Sequence, residues 1–127
     1  ENTGTIEIWG DGTQTRSYMY IDDCVDGIDR ITHCDELVAT PINLGSSELI
    51  SVNALVDIAE SIGGVKLKRS YKLDAPKGVA GRNSDNTFIK SVLKWEPTTS
   101  FKVGLAKTYA WIETQYADWK AGRRTVD

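Results

Sequence analysis

The sequence is poor in the residues that would commit it to a metal, a disulfide framework or a membrane. Its 127 residues hold two cysteines, one histidine, one methionine and three prolines. Cys24 and Cys34 fall in one amphipathic segment, where ten residues of helix would hold them about 15 Å apart, beyond disulfide reach. Two reduced thiols suit the cytoplasm, the location expected for this chain. His33 stands beside Cys34, but paired-ligand spacing such as C-x2-C is absent, so no metal site is expected. No run approaches the ~18 apolar residues of a membrane helix, and no signal peptide opens the sequence. The net charge of −3 comes from interleaved acids and bases. It leaves no basic stripe for nucleic acid. The first residue is Glu1 rather than methionine, so a trimmed or partial chain is expected.

What is present is ordinary globular composition, 40% hydrophobic and 26% charged. A single domain over 1–127 follows, able to bury roughly two-thirds of its unfolded surface. Thr5 to Trp9 alternates polar and apolar residues, the period of a half-buried strand. Gly10-Asp11-Gly12 supplies turn chemistry, and Arg16 to Ile21 resumes an extended, aromatic-rich pattern. Asp22 or Asp23 is placed to cap a helix running to about His33, with Ile21, Cys24, Val25, Ile28 and Ile31 as its buried stripe. Asp26, Asp29 and Arg30 make its solvated face. Pro41 to Gly45 reads as a short strand.

Ser51 caps a second helix, whose buried stripe is Val52, Leu55, Ile58, Ala59 and Ile62 and whose stop is Gly63-Gly64. Val65 to Tyr71 reads as another strand, and 72–84 as a loop. Asp85-Asn86 opens a short helix carrying Ile89, Val92 and Leu93. Ser100 caps a long last helix with Phe101, Leu105, Tyr109, Ile112, Tyr116 and Trp119 along one face. Gly122 ends it, leaving a frayed tail over 122–127. This order predicts a mixed α/β, helix-rich (α+β) fold.

Two arginines stand on glycine-rich segments far apart in sequence: Arg16 after Gly10-Asp11-Gly12, and Arg82 in Gly81-Arg82-Asn83-Ser84-Asp85. A guanidinium fork matches a pair of phosphate oxygens and stays charged at physiological pH. Glycine lets the backbone approach a ligand closely. Taken alone, an arginine beside a turn is more often a surface charge or a carboxylate partner.

Four stretches in order, "WGDGTQTRSYMYIDDCVDGI", "PINLGSSELISVNALVDIAESIG", "GVAGRNSDNTFIKSVLKWEPTTS" and "GLAKTYAWI", resemble the C-terminal part of the extended short-chain dehydrogenase/reductases. That family contains the NAD-dependent nucleotide-sugar epimerases and dehydratases, and the GRNSDN string points to their GDP-mannose branch. The resemblance runs from about Ile6 to Trp119. Ala80 departs from it, standing where the branch has an arginine. The resemblance implies a substrate-binding lobe in which Arg16 and Arg82 contact the diphosphate of a nucleotide sugar. It also implies that Trp9 lines the nucleotide pocket, and that Gln14 and Asp85 sit beside the arginines. Asp85 could equally orient Arg82 or cap the next helix, and Trp9 could equally be a core aromatic.

In the family, a G-x-x-G-x-x-G turn after the first strand holds the cofactor pyrophosphate. Here only Gly78-Val79-Ala80-Gly81 comes near. The family's Y-x-x-x-K dyad has a formal match in Tyr116 and Lys120, but downstream of every substrate motif rather than upstream of them. The expectation is therefore that this chain binds no cofactor, that NAD belongs to the rest of the parent enzyme, and that the chain alone is catalytically incompetent. Its expected partners are a weakly held nucleotide-diphosphate sugar and either a Rossmann lobe or a second copy. A lobe exposing apolar surface alternatively serves as a self-associating interaction module.

Overall fold

The computed structural model describes residues 4–76 and 78–123; Lys77 and the tail beyond Arg123, where most of the expected fraying falls, lie outside them. The fold is mixed α/β and helix-rich, in the order β1 (Thr5–Trp9), β2 (Thr15–Arg16), α1 (Ile21–Thr32), a 3-10 turn (Asp35–Leu37), β3 (Ile50–Ser51), α2 (Val52–Gly63), β4 (Lys68–Lys72), α3 (Thr87–Leu93) and α4 (Phe101–Lys120). β1 and β4 pair in parallel, Thr5 opposite Lys68 through Trp9 opposite Lys72. β2 and β3 pair antiparallel, Thr15 opposite Ser51.

The alternation in β1 does what its period demands. Ile8 is buried to 2% exposure, while Trp9, one residue on, faces outward at 52%. Ser51 Oγ accepts the Ala54 amide at 3.1 Å and starts α2, and Gly64 ends it in the left-handed region at φ 63°. Ile89 of α3, Val56 of α2 and Phe101 at the head of α4 join Ile8 in the core. Gly27 brings α1 close to Leu44 and Trp95. A Cβ there would lie 2.5 Å from Leu44 Cδ1 and 2.8 Å from the Trp95 ring.

Several elements differ from their sequence reading. Pro41 to Gly45 pairs with no strand; the carbonyl of Gly45 is taken by the Asn86 side chain, and the strand lies at Ile50–Ser51. Of the expected extended segment Arg16 to Ile21 only Arg16 is paired, together with Thr15 just before it. The last strand starts at Lys68 rather than Val65. Neither Asp22 nor Asp23 is the N-cap of α1, which is Tyr20 without a capping side chain. Asp23 instead accepts the Thr99 amide at 2.8 Å. Ser100 occupies the N-cap of α4 but makes no capping bond; the Glu48 carboxylate accepts the Phe101 amide at 2.8 Å in its place.

The helical stripes are also less buried than their spacing suggests. On α1, Ile21, Val25 and Ile28 are exposed. On α2 the buried positions are Val56 and Glu60, and the expected stripe is half-buried. On α4, Ile112, Tyr116 and Trp119 are exposed. Both cysteines are free thiols, with Cys34 beyond the end of α1. Among the described residues no cluster could hold a metal, and no helix is long and apolar enough to cross a membrane.

Candidate functional site

The glycine turn after β1 is built by its own sequence. Gly10 and Gly12 have φ of 80° and 74°, which a side chain would strain. Asp11 Oδ1 accepts from the Thr13 amide at 3.0 Å and its hydroxyl at 2.7 Å. The start of α2 then grips the turn: the Asn53 amide donates to Gly12 O at 3.0 Å, and Asn53 Nδ2 to Asp11 O at 3.1 Å. Gln14 Nε2 spans the turn to Trp9 O at 2.7 Å. The turn thus delivers Arg16 on the short strand β2 in a fixed direction.

Arg16 reaches a hollow of about 420 Å³ whose other walls are Ser17 and Met19, the 43–45 run, and Arg82 to Ser84. The two arginines, distant in sequence, therefore face one space. Among the described residues no carboxylate lines it. Asn43, Asn83 and two serines add neutral hydrogen-bonding groups. Arg16 is anchored: Nη1 donates to Thr15 O at 2.7 Å and to Val79 O at 2.8 Å. With the Thr15 amide donating to Ala80 O at 2.9 Å, these bonds fasten the loop before Arg82 onto β2. Arg82 itself is exposed and has no hydrogen-bond or ion-pair partner among the described residues.

The other three sequence candidates stand outside this hollow. Trp9 lies on the outer face of β1, its Nε1 donating to Glu7 Oε1 at 2.7 Å. Gln14 supports the glycine turn and borders a smaller hollow of about 270 Å³ with Asp11, Thr13 and 78–80. Asp85 lines a neighbouring hollow of about 470 Å³ at the head of α3. Its Oδ1 accepts the Thr87 amide at 2.9 Å. The Thr87 hydroxyl, then that amide, hold the Asp85 carboxyl below its ordinary pKa.

Sequence reasoning missed the 43–45 wall. Its signal is the small and polar residues Asn43, Gly45, Ser46 and Ser47, which begin inside the Pro41 to Gly45 segment whose pattern reads as a strand. The formal dyad at the end of α4 has Lys120 Nζ 4.7 Å from the Tyr116 ring, and Tyr116 stacks on Trp119 at 5.8 Å. The Lys120 side chain lowers the tyrosine pKa. Neither residue lines the arginine hollow.

This small α/β unit coincides in sequence and fold with a known class. Residues 1–45 match the model of the NAD dependent epimerase/dehydratase family. The UDP-glucuronic acid 4-epimerase of Bacillus cereus, solved in complex with UDP-glucuronic acid and NAD, has the same fold at a TM-score of 0.79 and 29% identity, over 87% of this chain and 35% of that one. The UDP-glucose 4-epimerase of Thermotoga maritima, solved with UDP-glucose, gives 0.78 and 27%, over 88% and 36%. In sequence and fold the chain is thus homologous to part of the NAD-dependent epimerase/dehydratases.

Within that class its relatives include GDP-mannose 3,5-epimerases. That of Arabidopsis thaliana is 43% identical over 94% of this chain, and GDP-mannose 3,5-epimerase 1 of Oryza sativa subsp. japonica is 46% identical over 90%. The chain spans 29% to 31% of the length of these relatives.

Proposed function

We propose that this chain forms the diphosphate-holding part of a nucleotide-sugar site, with Arg16 and Arg82 gripping the phosphates. The observation that carries this reading is that two guanidinium groups from separate glycine-rich segments line one hollow, with no carboxylate among the described residues that line it. Such a space favours a doubly charged anion. Arginine forks supply bidentate bonds to its oxygens, and the asparagines and serines meet sugar or ribose hydroxyls. The relatives named GDP-mannose 3,5-epimerase support GDP-mannose as the ligand.

The described residues do not fit a dinucleotide. β1 runs through its glycine turn into a strand, not a helix, and the strand that does enter a helix, β3 into α2, has no glycine at the junction. No backbone cradle at a helix N-terminus is therefore offered to a pyrophosphate there. The reading assigns NAD and the acid–base groups to protein outside this segment, so the chain alone binds but does not turn over its ligand. Trp9, Gln14 and Asp85 act at one remove, shaping the turn and the helix head that carry the arginines.

Calorimetric titration of GDP-mannose and GDP tests the reading. The chain is expected to bind both weakly, and Arg16→Ala and Arg82→Ala each to weaken binding by about 10- to 100-fold, the worth of a charged hydrogen bond. No heat at millimolar ligand overturns it. A second reading, self-association as an interaction module, is favoured by the exposed apolar side chains of α1 and α4.

A further inference from the structure

Asn86 does not line the arginine hollow, yet its side chain joins two of that hollow's walls. It is one of the few buried polar residues among the described residues, at 9% exposure. Both ends of its amide are used: Nδ2 donates to Gly45 O at 2.9 Å, and Oδ1 accepts from Ser84 Oγ at 2.7 Å. Gly45 and Ser84 belong to the 43–45 and 82–84 walls. The same walls are stitched further by the Ser84 amide donating to Ser46 O and by Asn83 Nδ2 donating to Ser47 O, both at 3.1 Å. They run so close that a Cβ on Gly45 would sit 3.0 Å from Ser84 Cβ.

From this we infer that Asn86 is a positioning residue for Arg82, an inference that rests on the diphosphate reading above. Arg82 has no anchor of its own among the described residues. Its place is inherited from the backbone that follows it, and Asn86 fixes that backbone. The side chain is not spent on the helix. Asn86 holds the N-cap position of α3 without a capping bond, and Asp85 accepts the Thr87 amide instead. The amide therefore orders the approach of the guanidinium before the ligand arrives, and preorganisation of this kind raises affinity without adding a contact.

The test combines GDP titration with backbone 15N order parameters. Asn86→Ala is expected to weaken GDP binding on the order of tenfold and to lower the order of residues 82–84. In an Arg82→Ala background the same substitution should cost no further affinity. A residue of merely structural worth would lower the melting temperature and leave the order of 82–84 unchanged. Should Asn86→Ala fail to fold, Asn86→Asp keeps the shape, places a carboxylate against the Gly45 carbonyl and serves the same comparison.

Unchanged order at 82–84 in the folded variant, or an equal loss of affinity with and without Arg82, overturns the inference. A wild-type chain that ignores GDP, or binds it equally well as Arg82→Ala, overturns the diphosphate reading instead. The loop order alone then decides the role of Asn86.

Discussion

Arg16 and Arg82 share a hollow but differ in what holds them. Arg16 donates to the carbonyls of Thr15 and Val79 and so ties the 78–81 loop to β2, whereas Arg82 rests on no described partner. Removing a hydrogen bond of the Arg16 kind costs about 1–2 kcal/mol, while an exposed, unpartnered side chain is worth about 0.5 kcal/mol or less. Urea unfolding should therefore find Arg16→Ala destabilised by about 1–2 kcal/mol and Arg82→Ala close to wild type. Equal stability losses would contradict this division between anchor and probe. At this scale the sequence was legible where chemistry is local. The positive-φ glycines, the Asp11 turn and the Asp85 bond to Thr87 follow from residue type. Whether Trp9 or its neighbour enters the core was not legible, because a side chain's face depends on which neighbour the strand buries. Ile8 took that place, and the period of two turned Trp9 outward.

Elements were legible by their ends and faces, less so by their burial. α2 begins at Ser51 and stops at Gly64 for the reasons the sequence supplies. Yet its deepest polar residue, Glu60, lies on no apolar stripe and could not be placed by periodicity. Glu60 is buried between α2 and the approach to β4, where it accepts Lys66 Nζ at 2.6 Å, the Leu67 amide at 2.9 Å and Arg69 Nη2 at 3.4 Å. The Lys66 hydrogen bond first, then the Leu67 amide, hold its carboxyl below the ordinary glutamate value. A carboxyl whose pKa is depressed by folding stabilises the fold above its unfolded pKa, about 4.3 for glutamate. That stabilisation is lost as pH falls through the lower folded value. Melting temperatures of wild type and Glu60→Gln should therefore stand apart at pH 7 and converge as the pH drops below about 4. A gap that stays constant across that range would place the stabilisation in packing rather than charge. On α1 the spacing of Ile21, Val25 and Ile28 did identify residues sharing a face, but they are exposed. Periodicity states what a helix would bury, not whether these residues supply the cover.

For the molecule as a whole, the same exposure becomes the central fact. The fold class followed from the order of elements, and the sheet did not. Strands so short and so far apart in sequence pair only through tertiary packing, leaving two separate two-stranded ladders. Around them large apolar side chains remain open to water: Ile21, Val25 and Ile28 on α1, and Trp111, Ile112 and Trp119 on α4. Ile21 and Trp111 share one hollow of about 450 Å³ with Tyr20, so the two helices contribute to a continuous surface. A chain exposing such a surface gains from covering it, at about 25 cal/mol per Å² of apolar area, and a second copy offers the same apolar face in return. Multi-angle light scattering should accordingly find a mass above the 14.0 kDa of one chain, rising with concentration. Ile28→Lys and Trp111→Lys change side chains already in water at 51% and 60% exposure, so each should keep the fold while shifting the mass toward the monomer. A monodisperse monomer at high concentration, or association indifferent to both substitutions, would mean that this surface does not drive the chain to pair with itself.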